Sequence, residues 1–92
     1  METEFVFPLA ERIDFSNVVS LRREGERHLL QHARVTFDFS AVTVCDSSAL
    51  ALLVAWKRFA HHHQVGIHFI NVTPSLKMLA SVCNVQGILA LV

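Results

Sequence analysis

The 92-residue sequence has few glycines, few charged residues and no long apolar run, and each of these features argues against a class of protein. It contains only three glycines, far apart, so it has no glycine-rich loop of the kind that holds a nucleotide phosphate. Charged residues make up 17% of the chain and cancel to a formal net charge of zero, which leaves no basic surface for nucleic acid or anionic lipid. The longest apolar run, residues 49–56, is far shorter than the roughly 20 residues that a membrane span needs. We therefore expect no nucleic-acid partner and no direct membrane insertion.

The sequence has only two cysteines, Cys45 and Cys83, and both lie in apolar segments without the spacing of a metal site. This pattern indicates reduced core residues rather than a disulfide framework. The acidic start, residues 1–4, lacks the positive charge and apolar stretch of a signal peptide. Together these features predict a cytoplasmic protein.

Apolar residues are abundant, at 52% of the chain. A chain of this length forms one domain, so residues 1–92 are expected to fold as a single unit. The apolar fraction is ample for a packed core, and some apolar surface remains available for a partner.

The hydrophobic periodicity predicts strands that alternate with helices. Strands are predicted over residues 5–7 (an edge strand ended by Pro8), 13–15, 34–39, 42–45 and 65–70. Helices are predicted over residues 17–32, 48–63 and from 74, with a closing strand or short helix after Gly87, over 88–92. This order predicts an α/β fold in which a largely parallel sheet of about four strands is covered by three to four helices.

Several residues are expected to shape the helices. Ser16 or Asn17 has the side chain of a helix N-cap, and Gly25 on the inner face of the first helix is expected to let that helix approach the sheet. Thr73 followed by Pro74 predicts the cap and first position of the third helix. The apolar face of that helix is expected to consist of Leu76, Leu79, Val82 and Cys83.

The most informative segment is the junction of a predicted strand and helix at Asp46-Ser47-Ser48. A helix start presents unpaired N–H groups and the positive end of the helix dipole. The simplest interpretation is that Asp46 or Ser47 caps the helix. However, a cap needs one polar residue, and the helix that follows is apolar on nearly every side from 49 to 56. Because a helix on a sheet needs only an apolar stripe, its second face is either covered by another helix or offered to a partner.

The segment at 37–53, FDFSAVTVCDSSALALL, resembles the signature of STAS domains, the fold shared with anti-sigma factor antagonists. That signature is an extended strand and then the motif D-S/T-x-G-L, which opens a helix. The likeness extends over 13–18, 67–76, 79–80 and Val85, although only the motif at 46–50 is specific. The run at 50–53 followed by Trp56, and the Asn-Val-x-Pro turn at 71–74, are most similar to the small MlaB-like STAS subunit of Mla-type phospholipid ABC transporters.

This resemblance implies a non-catalytic subunit, without cofactor, that binds and supports the cytoplasmic ATPase of a phospholipid-transport complex involved in outer-membrane lipid asymmetry. Such a subunit lies at the inner membrane only through its complex. The alternative is an anti-sigma factor antagonist whose partner is an anti-sigma kinase, in which case Ser47 holds the phosphorylated position. The residues expected to bind the partner are Asp46, Ser47, Ser48, Leu50, Leu53, Val54 and Trp56, of which Trp56 is either an interface anchor or a core residue.

One position departs from the family pattern, since Ala49 stands where the motif has glycine. If this position required a positive φ, alanine would be strained there. Alanine is favourable inside a helix, however, and its methyl group alters the close approach of a partner backbone. The substitution therefore favours constitutive docking over a switch operated by a kinase.

Two further patterns suggest chemistry that we do not expect. The adjacent histidines 61–63 point about 100° apart on a helix, so they do not converge on one metal ion, and a solvated helix end explains them. Ser47 is not preceded and followed by the glycines of a hydrolase elbow, and Cys45 lies in a strand context typical of an inert thiol. We expect no enzyme activity, no catalytic residue and no metal site.

Overall fold

The computed structural model describes residues 4–90, which form five short strands and four helices. The strands are β1 (Glu4–Pro8), β2 (Arg12–Ile13), β3 (Arg34–Asp38), β4 (Val44–Cys45) and β5 (Gly66–Ile70). The helices are α1 (Val18–Gln31), α2 (Ser48–His62), α3 (Pro74–Val82) and α4 (Gln86–Leu89). The predicted α/β fold is confirmed. None of the helices in this part of the chain is both long and apolar enough to cross a bilayer.

Strand β3 is the centre of a three-stranded sheet with the order β1-β3-β5, and both neighbours run parallel to it. Strands β2 and β4 form a separate parallel pair. Parallel neighbours need a crossover connection, and α1 and α2 provide the crossovers from β1 to β3 and from β3 to β5. The prediction that the sheet is parallel and that β1 is an edge strand is therefore confirmed.

The core lies between one face of this sheet and the helices. Its centre is Trp56 of α2, which is fully buried and stacks on Phe37 of β3 with ring centroids 4.1 Å apart. The indole N–H donates a hydrogen bond of 3.2 Å to the carbonyl oxygen of Arg22 in α1. A single side chain thus joins α1, α2 and the sheet.

Gly25 of α1 lies against the indole ring of Trp56 rather than against the sheet, which corrects the expectation from the sequence. A Cβ atom at this position would lie 2.4 Å from the nearest indole atoms. The absence of a side chain therefore lets α1 approach α2 across the ring.

The first helix is not capped as predicted, because neither Ser16 nor Asn17 caps it through its side chain. The carbonyl oxygen of Asp14 accepts hydrogen bonds from the N–H groups of Asn17 and Val18, at 3.1 and 3.0 Å. The amide of Asn17 instead holds the preceding turn, since it donates to the carbonyl oxygen of Arg12 at 2.6 Å and accepts from Asp14 N–H at 3.0 Å.

Helix α3 begins as the sequence predicts, with Pro74 in its first turn and the Thr73 hydroxyl accepting a hydrogen bond from Leu76 N–H at 3.2 Å. Its predicted apolar face is only partly correct. Leu76 is buried and Leu79 is half-buried, but Val82 is 77% exposed and Cys83 is exposed, so Cys83 is not a core residue. Gly87 lies inside α4 rather than before it, and the last residues of the predicted closing element, 91–92, lie outside the described residues.

Candidate docking site at the start of helix α2

Asp46 organises the turn between β4 and α2. Its backbone N–H donates to the carbonyl oxygen of Ile13 at 3.2 Å, which fixes the turn to β2. Its carboxylate accepts hydrogen bonds from both the backbone N–H and the hydroxyl of Ser48, and its carbonyl oxygen accepts from Ala49 N–H at 3.0 Å. Asp46 therefore satisfies the first unpaired donors of the helix, whereas Ser47 makes no capping bond through its side chain.

The same local motif occurs at two other strand ends. Asp14 accepts the N–H of Ser16 at 2.9 Å, and Asp38 accepts the N–H of Ser40 at 3.0 Å, as Asp46 does with Ser48. The hydroxyl and backbone N–H of Ser16 hold the pKa of Asp14 below its ordinary value of 3.8. The amide of Asn71 and the N–H of Ser40 likewise lower the pKa of Asp38. This repeated D-x-S pattern, at 14–16, 38–40 and 46–48, is visible in the sequence, although the predictions above do not use it.

Ala49 fits the start of α2 without strain. It lies inside the helix, is 1% exposed, and does not belong to the residues with positive φ, which in the described chain are Gln64, Asn71, Asn84 and Ala90. The concern that this position requires glycine therefore does not apply to this chain. The Ala49 methyl group is instead part of the core.

The structure separates the predicted partner-binding residues into two groups. Ser47 is exposed, and Asp46, Leu50 and Val54 are half-buried, so these four remain accessible. Ser48, Leu53 and Trp56 are 7%, 0% and 0% exposed and point into the protein. Their side chains are used by the chain's own core, which for Trp56 agrees with the core alternative stated above. Contact of Ser48 and Leu53 with a partner stays a prediction, and it would require these side chains to leave the core.

The outward line of α2 consists largely of residues that the prediction did not select. Ser47, Ala51 and Arg58 are exposed and Ala55 is half-buried, and their spacing of four, four and three residues places them on one side of the helix. We call Ser47, Ala51, Ala55 and Arg58 the α2 ridge. Its small residues lie opposite the bulky ones at 52, 53 and 56, a contrast that helical spacing could have revealed from the sequence.

Open grooves flank the α2 ridge on both sides. One, of about 440 Å³, lies between the ridge and Val85, with Leu50 and Val54 along its wall. The other, of about 250 Å³, lies between the ridge and the start of α1, where Phe15 and Val19 are 75% and 57% exposed. A third groove, of about 330 Å³, runs from Asp46 and Ser47 towards α3. Each of these three grooves includes at least one residue of the turn 46–48, so the turn borders a mostly apolar surface. A further groove, of about 410 Å³, lies beside Ala55 and Arg58 at the other end of the ridge and does not reach the turn.

The remaining candidate groups are the histidines at 61–63 and the two cysteines. The histidines at 61–63 are exposed at the end of α2, and within residues 4–90 no three His, Cys, Asp or Glu side chains are arranged to hold a metal ion. Cys45 and Cys83 are free thiols, half-buried and exposed.

The fold and this surface describe a small α/β domain suited to contact with another protein. A family model described as MlaB, STAS domain, matches residues 3–92. Because this match spans nearly the whole chain, the protein belongs to the STAS domain family, whose members act through protein–protein interaction. Among curated proteins, none is found to match the sequence.

Solved structures agree with this fold. The anti-sigma factor antagonist SpoIIAA in its unphosphorylated form matches with a TM-score of 0.70 and 18% identity, over 88% of this chain and 76% of that one. The Bacillus cell fate determinant SpoIIAA in the phosphorylated form matches with a TM-score of 0.70 and 17% identity, over 89% of this chain and 76% of that one. At this identity the likeness concerns the fold.

Proposed function

We propose that this chain is a non-catalytic cytoplasmic STAS subunit that binds the ATPase of an Mla-type phospholipid-transport ABC complex and supports its activity. The α2 ridge, with Asp46, Leu50 and Val54 beside it, provides the contact surface. Binding that favours the assembled ATPase stabilises it by mass action, so no reaction in this chain is required. The lipid and the membrane are contacted by other subunits.

The observation that carries this proposal is the mostly apolar surface along α2, where three grooves border the turn at 46–48 and Ser47 is exposed. Small residues on the α2 ridge leave the helix backbone open to close approach, and the exposed Phe15 adds an apolar wall. An apolar surface of this kind, on a domain with a complete core of its own, is typical of a protein interface. The match to the MlaB-type family model supports an ABC ATPase as the partner.

Co-purification with a candidate Mla-type ABC ATPase from the same organism tests the proposal. We expect wild type and Ser47→Ala to co-purify with the ATPase and to support its activity, because loss of one hydroxyl changes little of the surface. Ser47→Arg places a long charged side chain between two of the grooves and should abolish co-purification. Leu30→Arg is the matched control, since Leu30 is 62% exposed at the far end of α1. Equal recovery of Ser47→Arg and wild type would exclude the turn as the docking site.

A second candidate function is a phosphorylatable antagonist of an anti-sigma factor. It is favoured by the exposed hydroxyl of Ser47 at a helix start and by the fold shared with SpoIIAA, which has been solved in both unphosphorylated and phosphorylated forms. A phosphate on Ser47 would add nearly two negative charges beside the Asp46 carboxylate and would remove an apolar partner. Incubation with a candidate anti-sigma kinase from the same organism and ATP, followed by intact-mass measurement, tests this function. A mass increase of about 80 Da that Ser47→Ala removes would favour it, and an unchanged mass would exclude it.

A further inference from the structure

One face of the three-stranded sheet carries no layer of protein among the described residues. The side chains of β1, β3 and β5 alternate, and the set that includes Phe7, Phe37 and Phe69 is buried under the helices. The opposite set consists of every second residue of the three strands, starting at Glu4, Arg34 and Gly66, and none of its members is buried. We call this set the open face.

An open face is unusual for a parallel sheet, because such sheets are normally covered on both sides. Both crossover helices contact the same face, since His28 of α1 stacks on Phe5 and Trp56 of α2 stacks on Phe37. The central row of the open face is Val6, Thr36 and His68, which are direct neighbours in the strand register. Val6 is 54% exposed there.

We propose that the open face pairs with the open face of a second copy of this chain to form a two-fold dimer. The two sheets would pack about 10 Å apart with their β3 strands antiparallel, and the axis would pass beside Thr36. This arrangement sets Val6 against its own counterpart. It also sets Arg34 against Asp38 of the second copy, and Asp38 against Arg34 of the second copy, because the two residues lie two positions before and after Thr36 on the same face.

The two charged residues are available for this contact. Both hydrogen bonds described for Asp38, from Ser40 N–H and the Asn71 amide, fall on Oδ1, so Oδ2 is left to accept from a guanidinium. Neither of the two ion pairs found within residues 4–90 involves Arg34. The Arg34 side chain packs over Gly66 at the start of β5, and the Asp38 carboxylate accepts from Asn71 just after the end of β5. In the dimer both side chains are therefore directed towards β5 and the β5 strand of the second copy.

The small area of the open face indicates that the dimer has a low affinity. Three strands about 4.8 Å apart and five residues long at about 3.3 Å each give a footprint of roughly 15 by 16 Å. This is well below the roughly 800 Å² that each partner buries in a stable complex. We therefore expect a weak dimer that forms at roughly 10 to 500 µM protein. The α2 ridge lies on the helix side, so dimer formation leaves it accessible, and this inference does not rest on the proposed function.

Sedimentation velocity of the purified chain, from about 5 to about 500 µM, tests the dimer. The wild-type sedimentation coefficient should rise with concentration towards that of a dimer. Val6→Lys should keep the chain monomeric, while Val19→Lys, a matched change at a 57% exposed valine on α1, should not. A wild type that stays monomeric over the whole range would overturn the proposal, and so would equal effects of the two lysine variants.

Charge reversal tests the register of the dimer. Arg34→Glu sets two acidic residues against each other and should weaken self-association about fivefold or more. Asp38→Lys should do the same with two basic residues. A mixture of the two variants should restore association, because the introduced glutamate of one chain then faces the introduced lysine of the other. In the same mixed dimer, the Asp38 that the first variant keeps faces the Arg34 that the second variant keeps.

The outcome of the mixing experiment is decisive in either direction. No recovery in the mixture of two folded variants would refute this register. If circular dichroism shows that Asp38→Lys does not fold, the comparison of Val6→Lys with Val19→Lys decides the proposal.

Discussion

Among the three glycines, Gly25 is the position where an added methyl group should destabilise the fold most. An added Cβ would lie 2.4 Å from the indole of Trp56, about 1 Å closer than ordinary van der Waals contact. The ring has no room to move, because it is fully buried, stacks on Phe37 at 4.1 Å and donates a hydrogen bond to the Arg22 carbonyl. Because the overlap is deep and the ring is held in place, overpacking here costs about 2 to 3 kcal/mol, the upper part of its usual range, while the better helix propensity of alanine returns about 1 kcal/mol. We expect Gly25→Ala to lower the free energy of unfolding by about 1 to 2 kcal/mol.

Urea denaturation followed by fluorescence measures this effect directly, since Trp56 is the only tryptophan in the chain. Gly87→Ala in α4 is the matched control, because a Cβ there meets nothing within 4 Å, and it should be neutral or stabilise by up to about 1 kcal/mol. The Gly25→Ala penalty should also shrink when Trp56 is replaced by phenylalanine, since the two changes share one contact. Unfolding in that background is followed by circular dichroism, because the variant contains no tryptophan. A Gly25→Ala variant as stable as wild type, or more so, would refute the close contact between α1 and the indole ring.

Three other changes should also be measurable. Ala49→Gly, which restores the family residue, should lower the free energy of unfolding in urea by about 1 kcal/mol, because it removes a buried methyl group from a helix. An increase in stability would contradict the helical role of Ala49. Asp46→Ala should cost about 1 to 2 kcal/mol by the same assay, because the N–H and hydroxyl of Ser48 lose their acceptor. Burial lowers the pKa of His28 below 6.5, so as the pH falls below about 6.5 the unfolded chain takes up a proton before the folded one and stability decreases. His28→Phe keeps an aromatic ring and should make the melting temperature less dependent on pH between about pH 6.5 and 5. A melting temperature that falls with pH as steeply as in wild type would contradict this assignment.

The fold could be predicted because most of its determinants are local. Alternating apolar residues defined β3, and the pair Thr73 and Pro74 fixed the start of α3 to the residue. The polar turn at 46–48 was also correctly placed at a helix start, since an aspartate between a strand and a helix is a strong local pattern. At the first helix the same rule selected Ser16 or Asn17, but the Asp14 carbonyl and a side-chain turn satisfied the donors instead.

The exposed face of α2 could be predicted only in part, because it depends on which face of the helix the core uses. Large apolar residues such as Leu53 and Trp56 look like interface anchors in a sequence, yet they are the residues that the core buries first. The remaining face is then made of small side chains, Ala51 and Ala55, which carry little weight in a sequence. The contact of Gly25 could not be predicted for a similar reason, since the residue that packs against it, Trp56, lies 31 positions further along the chain.

The most direct test of the central claim is the affinity of the purified chain for its ATPase, measured by isothermal titration calorimetry with a change in the middle of the α2 ridge. Ala51→Arg adds bulk and charge to an exposed helix position, so it should fold like wild type and weaken binding at least about a hundredfold, or about 2.7 kcal/mol. Leu30→Arg should bind like wild type. Wild-type affinity for Ala51→Arg would contradict the proposed function, because the surface at the start of α2 would then not be the docking site.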